Sequence, residues 1–295
     1  MNDLPWALRA LVLTVFVVVY YKYAKAALFA LCRRAAHSLP FGRRWDASER
    51  GGVLELAAAG ASHVLVVALL VLVTGIDLTR FVSGAARLDL IALGAAIGVG
   101  EVALGSLLCR VLIEGVQARG RRRTGSVRGA RTVPATAGGA VDAAVRTTGW
   151  SAVRATARSS GRSTAGNAED RGERTRQWLG LSRGGWIRHH LKTMEAVSLP
   201  LALALTAVQV GSEEIVFRGL VLTWLRDAGP VLAIATSCLL FTVMQVFLMS
   251  SWRAAMFPVV GAIVMGVTHS VLFWHYPVLL PLVVAHVTFF LFAVA

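Results

Sequence analysis

Residues 191–226 read LKTMEAVSLPLALALTAVQVGSEEIVFRGLVLTWLR. An apolar run of membrane length, 191–210, leads into two adjacent carboxylates, Glu213 and Glu214, with Arg218 four residues on and apolar sequence resuming behind it. A helix needs about 20 mostly apolar residues to cross the hydrocarbon core. Five further segments meet that length, at 4–24, 53–76, 88–113, 230–250 and 254–274. A seventh, 277–294, is slightly short and carries His286 as its sole ionisable residue. Residues 212–226 form another helical stretch, polar at its start and too short to span alone. The expected fold is all-α, a polytopic transmembrane helical bundle of about seven spans plus a short motif helix.

Composition points the same way. Hydrophobic residues make up 56% of 295 positions and the mean hydropathy is +0.64. A soluble domain of this length needs more polar surface, so lipid must cover part of the chain. Charge is scarce but biased, with 30 Lys+Arg against 16 Asp+Glu and a net of +14. Arginine crowds into 119–190 and into short runs beside apolar stretches, the pattern of cytoplasmic loops. Membrane lipid is therefore the expected partner of the basic surface, and nucleic acid is not.

Lys22, Lys25, Arg33, Arg34, Arg43 and Arg44 follow the first span, and Arg119, Arg121, Arg122 and Arg123 open the long loop. The 76–88 connection carries Asp77, Arg80 and Arg87. This asymmetry predicts an external amino terminus and a cytoplasmic 119–190 loop. Three parts result: 1–118 with three spans, 119–190 as a basic loop, and 191–295 as a second transmembrane core. Residues 119–176 are poor in aromatics and rich in Gly, Ser, Thr, Ala and Arg, a composition expected to stay largely disordered. The apolar run from Leu11 is followed by Tyr20, Tyr21 and Lys22 without a small-residue cleavage site, so it reads as a span and not as a cleavable signal. Cys32, Cys109 and Cys238 are far apart and lack metal-ligand spacing, which makes them apolar packing residues.

The ionisable residues inside the apolar runs are the candidates for function, because a charge there is costly unless paired or facing water. Glu214 and Arg218 share a helical face at i, i+4 and can pair. Glu213 lies about 100° round the helix and has no such partner in sequence. Two readings of the Glu pair stay open: an interfacial helix cap favoured by the dipole, and a carboxylate with the raised pKa of a general base. His286 sits deep in its run and needs a partner or a cavity. Gln245, His269, Glu101 and Glu55 are further candidates for internal pairing, whereas His275, beside Tyr276 and Pro277, reads as interfacial. Gly94, Gly98 and Gly105 offer a surface for close helix approach.

The order of these residues resembles the CPBP family, the CAAX proteases and bacteriocin-processing enzymes also called the Abi family. The first motif of that family, Glu-Glu-x-x-x-Arg, is matched by Glu213-Glu214-Ile215-Val216-Phe217-Arg218, with Gly219 following. The second, Phe-x-x-x-His, is matched in place by Phe241-Thr242-Val243-Met244-Gln245, with Gln245 where the His belongs. The third, His-x-x-x-Asn, is matched by His286, with Phe290 at the Asn position. The resemblance covers about 190–295. It implies Glu213 as general base, Glu214 and Arg218 as a structural pair, His286 as an oxyanion donor and Gln245 as the holder of the water. It implies no cofactor, and the few ligand-like residues predict no metal.

An amide holds a water but does not exchange a proton at a useful pKa, so His269 is a candidate for the missing imidazole. The function expected is an intramembrane endopeptidase of glutamate type acting on a membrane-associated peptide or protein. The alternative is a catalytically impaired relative that works as a membrane scaffold, regulator or immunity protein. A proton-relay transporter using Glu101 and Glu213 is a third reading, without an inverted repeat to support it. The Ala-, Gly- and Arg-rich composition suits a GC-rich bacterial genome and an inner (plasma) membrane protein.

Overall fold

The computed structural model describes residues 4–39, 42, 44–82, 87–129, 188–247 and 249–294. The chain divides into two compact units, Met1–Arg110 with Gln177–Ala295, and Val111–Arg176. The first unit is a helical bundle, and no strand occurs among the described residues. Its helices are α1 (Trp6–Ser38), α2 (Ala47–Thr74), the first part of α3 (Leu88–Gly129), α4 (Arg188–Ala196), α5 (Leu199–Leu222), α6 (Pro230–Phe247), α7 (Trp252–His275) and α8 (Leu280–Val294). The second unit holds, among the described residues, the remainder of α3. Of the expected disordered loop, 119–129 is helical, and 130–187 lies outside the described residues.

Among the described residues, six helices are long and apolar enough to cross a membrane: α1, α2, α3, α5, α6 and α7. Their outward residues are apolar, with Leu65, Leu72 and Val231 at 71%, 81% and 78% exposure. In water such a surface would aggregate, and in lipid it is the expected one. The chain is thus an integral membrane protein of all-α, polytopic architecture. The seventh segment, α8, has 15 residues, about 22 Å of helix, and falls short of the roughly 30 Å hydrocarbon core.

Two boundaries differ from expectation. The first span does not stop at 24: α1 continues to Ser38, because Lys25 points into the bundle and is 1% exposed, so its charge does not end the apolar contact. The expected motif helix 212–226 is not separate but forms the second half of α5. Ser198 and Pro200 start that helix, with Pro in its first turn where no intrahelical N–H is required. The preceding residues form α4, a short amphipathic helix.

Local chemistry sets the other ends. Asp46 and Glu49 form a capping box at the start of α2, each side chain accepting the other's backbone N–H at 2.8 Å. Gly75, at φ +67°, closes the same helix in the left-handed region. Arg33, Arg34, Arg44 and Arg50 gather where α1 ends and α2 begins. Arg188 joins them through Glu55, whose oxygens lie 2.6 Å from Arg33 and 2.9 Å from Arg188. The opposite end is balanced by acidic partners: Arg9 with Asp227, and Arg87 with Asp89. The Arg33–Arg50 end is the one that the charge asymmetry of the sequence is expected to set in the cytoplasm.

The glycines of α3 do pack against a neighbour. A methyl group at Gly98 would lie 2.4 Å from the carbonyl oxygen of Ala285, and one at Gly94 2.5 Å from that of Pro281. These contacts are with α8, the helix that carries His286. Replacing Gly98 or Gly94 by Ala should force α3 off α8 and cost about 1–3 kcal/mol. Gly100, with nothing within 4 Å, is the control and should tolerate Ala or gain slightly. Thermal unfolding of the three detergent-solubilised variants checks this, with a lowered Tm expected for the first two alone.

Candidate active site

The core of the first unit contains a group of buried ionisable side chains drawn from α1, α2, α3, α5, α7 and α8. The segment that organises them is the middle of α5. Its α-helical hydrogen bonding gives way to a π-helical stretch at Ile215–Leu222, directly after the two glutamates. A second π-helical stretch, Val18–Ala24, lies in α1 directly before Lys25. Such widened turns are rare and occur often at functional sites. The two meet through Tyr21 and Phe217, whose ring centroids are 6.0 Å apart.

Glu214 is fully buried and is met from three helices. Arg218 Nη1 lies 3.3 Å from its Oε2, as the i, i+4 spacing predicts. His286 Nδ1 of α8 lies 2.7 Å from Oε1. His269 Nδ1 of α7 lies 3.0 Å from Oε2, while its Nε2 lies 3.2 Å from Glu101 Oε1 of α3. Arg218 is further held by the Met265 carbonyl at 3.3 Å and by the face of Phe241, 4.5 Å from its guanidinium. A desolvated carboxylate persists only with this kind of multiple partnering. His269 therefore stands between Glu214 and Glu101, which gives Glu101 the partner that is not evident in sequence.

Glu213 faces a different set of groups. Its Oε1 lies 3.8 Å from Lys25 Nζ of α1 and 3.8 Å from His63 Nε2 of α2, and it accepts a 3.5 Å hydrogen bond from Gln209 Nε2 one turn earlier on α5. His63 Nδ1 approaches the Ala59 carbonyl at 2.8 Å, so that nitrogen carries the proton. Its Nε2 is then an acceptor, 3.2 Å from the Tyr21 hydroxyl. The imidazole beside Glu213 is thus His63. His269, the expected substitute, is engaged by Glu214 and Glu101.

The remaining expected residues take these positions. Gln245 is buried on α6, and no hydrogen bond joins it to Glu213 or Glu214 among the described residues. Phe290 lies in tilted contact with two rings, its centroid 4.5 Å from that of His190 and 5.6 Å from that of His286. With Nδ1 of His286 directed at Glu214, its Nε2 can donate only when the ring is imidazolium. His275 is exposed at the end of α7, as its interfacial sequence setting suggests. Among the described residues no group of three His, Cys, Asp or Glu is arranged to hold a metal ion.

Lys25, His63, Gln209 and His189 were not singled out by the sequence. The available signal was an ionisable or amide group inside an apolar run, which His63 and Gln209 carry as clearly as His286. His189 Nε2 meets Gln209 Oε1 at 3.3 Å. Burial, reinforced by Lys25, pushes the His189 pKa down to about 3. The ring is then neutral and donates to Gln209. A cleft of about 340 Å³, lined by Arg33, Gly52, Glu55, Arg188 and Lys192, also reaches His189. Two hydrogen bonds, His189 to Gln209 and Gln209 to Glu213, connect that cleft with Glu213.

Residues 195–292 match a family model described as type II CAAX prenyl endopeptidase Rce1-like. No curated protein and no solved structure matches the chain. The matched segment contains Gln209, Glu213, Glu214, Arg218, Gln245, His269 and His286. Lys25, His63, Glu101 and His189 lie outside it.

Removing one member of the Glu214 cluster leaves an uncompensated buried charge. Arg218→Leu should cost about 3–5 kcal/mol and be seen as a lower Tm in detergent and reduced accumulation in membranes. Arg218→Leu combined with Glu214→Leu should recover part of that loss.

Proposed function

We propose, from the chain's membership of the CAAX protease (CPBP) family over residues 195–292, that this CAAX-type intramembrane protease is a glutamate-type endopeptidase with Glu213 as its general base. The observation that carries the proposal is the division of labour between two adjacent carboxylates. Glu214 is enclosed by Arg218, His269 and His286, whereas Glu213 has looser contacts at 3.5–3.8 Å. A carboxylate with spare acceptor capacity can take a proton from water, and one closed by a guanidinium and two imidazoles serves as a scaffold.

The reaction runs in two steps. Water bound to Glu213 loses a proton to the carboxylate as its oxygen attacks the peptide carbonyl, forming a tetrahedral oxyanion. Collapse then breaks the C–N bond, and the proton returns from Glu213 to the leaving nitrogen. Glu214 holds His286 and Arg218 in place through both steps. Gln245 contributes at most a hydrogen bond to water, so proton transfer rests on Glu213. The protein substrate is membrane-associated, and the basic cleft at the cytoplasmic end is its candidate entrance.

Gln245 and Phe290 favour a second reading, a family member that binds a membrane protein without cutting it. The two readings separate in one assay. Purified protein in liposomes is given an internally quenched farnesylated peptide with a CAAX carboxy terminus. Glu213→Gln should lower kcat by about 10²–10⁴-fold if it removes the general base, with unchanged Tm. Cleavage that is absent in the wild type supports the binding protein instead, and cleavage undiminished in Glu213→Gln removes Glu213 as the general base.

A further inference from the structure

Lys25 is the least explained charge in the first unit. It is 1% exposed, and its Nζ has no hydrogen-bond partner among the described residues. An ammonium carries three N–H donors, and leaving them unsatisfied in a buried setting is costly. The surroundings are the ring faces of Tyr21 and Phe29, with centroids 5.4 Å and 5.7 Å away, and Glu213 Oε1 at 3.8 Å. That distance exceeds a hydrogen bond. The rings supply cation–π attraction but no acceptor. Lys25 is therefore held charged-side inward, next to Glu213, with its donors free.

The position is fixed by backbone geometry as well as by packing. Lys25 follows directly on the π-helical stretch Val18–Ala24, which shifts the register of α1 by comparison with an uninterrupted α-helix. Tyr21 of that stretch contacts both the ammonium and Phe217 of α5. Lys25 and Glu213 thus face one another beside the widened turns of α1 and α5. No other cation contacts Glu213 among the described residues.

We infer that Lys25 is the oxyanion-binding residue of this site, donating from its ammonium to the substrate carbonyl oxygen as water held by Glu213 attacks. The inference rests on the endopeptidase reading of Glu213. Lys25 remains protonated throughout; it neither gives nor takes a proton in the balanced reaction above. A carbonyl carbon within attack distance of water on Glu213, about 3–3.5 Å, keeps its oxygen within reach of Nζ. A fixed positive charge in a dry site is worth most where negative charge develops in the transition state. This places the electrophilic half of the chemistry on α1, outside the family-matched segment. It accounts for how a chain with Phe290 at the third-motif position could still stabilise an oxyanion.

The test uses full-length protein in liposomes with the farnesylated CAAX peptide, comparing wild type, Lys25→Met, Lys25→Arg and Glu213→Gln across pH. Lys25→Met should lower kcat by about 10²–10³-fold at the pH plateau, with KM within a few-fold. Lys25→Arg, which keeps the charge, should retain more activity than Lys25→Met. If Lys25→Met regains wild-type kcat at higher pH, Lys25 only adjusts the ionisation of Glu213 and the inference is overturned. The same follows if Lys25→Met keeps kcat while Glu213→Gln loses it, an outcome that leaves the endopeptidase reading intact. Equal activity in wild type and Glu213→Gln removes that reading and the inference with it. Lys25→Gln is read in the same way should Lys25→Met fail to accumulate.

Discussion

Two adjacent carboxylates buried among apolar helices require counter-groups, and the arrangement of the bundle follows from supplying them. Isolated charges in a medium without water cost several kcal/mol each. Glu214 draws on its own helix through Arg218 and on α7 and α8 through His269 and His286. Glu213 draws on α1 through Lys25 and on its own helix through Gln209. Polar contacts to these two residues, as well as packing, therefore tie α1, α7 and α8 to α5. The glycine surface of α3 brings α8 close, and Glu101 of the same helix completes the chain of charges through His269.

The two carboxylates differ in what surrounds them, and the proposed chemistry rests on this difference. A carboxylate enclosed by a guanidinium and two imidazoles is a fixed element. One bordered by an amide, a distant ammonium and an imidazole that is already hydrogen-bonded retains acceptor capacity. The adjacent π-helical stretches widen the backbone at the point where α1 and α5 approach. The match of residues 195–292 to the Rce1-like family model supports proteolysis at the level of the family, and Lys25, His63 and Glu101 come from helices outside that segment.

Much of this architecture is legible in the residues themselves. Span lengths and composition predict an all-α membrane bundle, and the i, i+4 spacing predicts the Glu214–Arg218 pair. The merging of 199–222 into one helix is not legible, because the polar Gly211–Glu214 stretch interrupts the hydropathy without interrupting the backbone hydrogen bonds. Lys25 resembles any basic residue following a span, and only tertiary packing distinguishes a buried ammonium from a cytoplasmic one. The partner of Glu101 and the imidazole beside Glu213 likewise come from distant helices, which no local spacing can identify. Gln245 is legible as a departure from the family pattern. That it makes no hydrogen bond to either glutamate among the described residues is a matter of tertiary packing, which no local spacing shows.

The central claim is that Glu213 performs chemistry, and peptide termini in the membranes of the native host test it most directly. Wild type, a deletion strain and Glu213→Gln are compared by mass spectrometry of membrane proteins. The account predicts that the point variant and the deletion lose the same set of cleaved termini. If Glu213→Gln matches wild type while the deletion differs, the protein acts by binding and the account is contradicted.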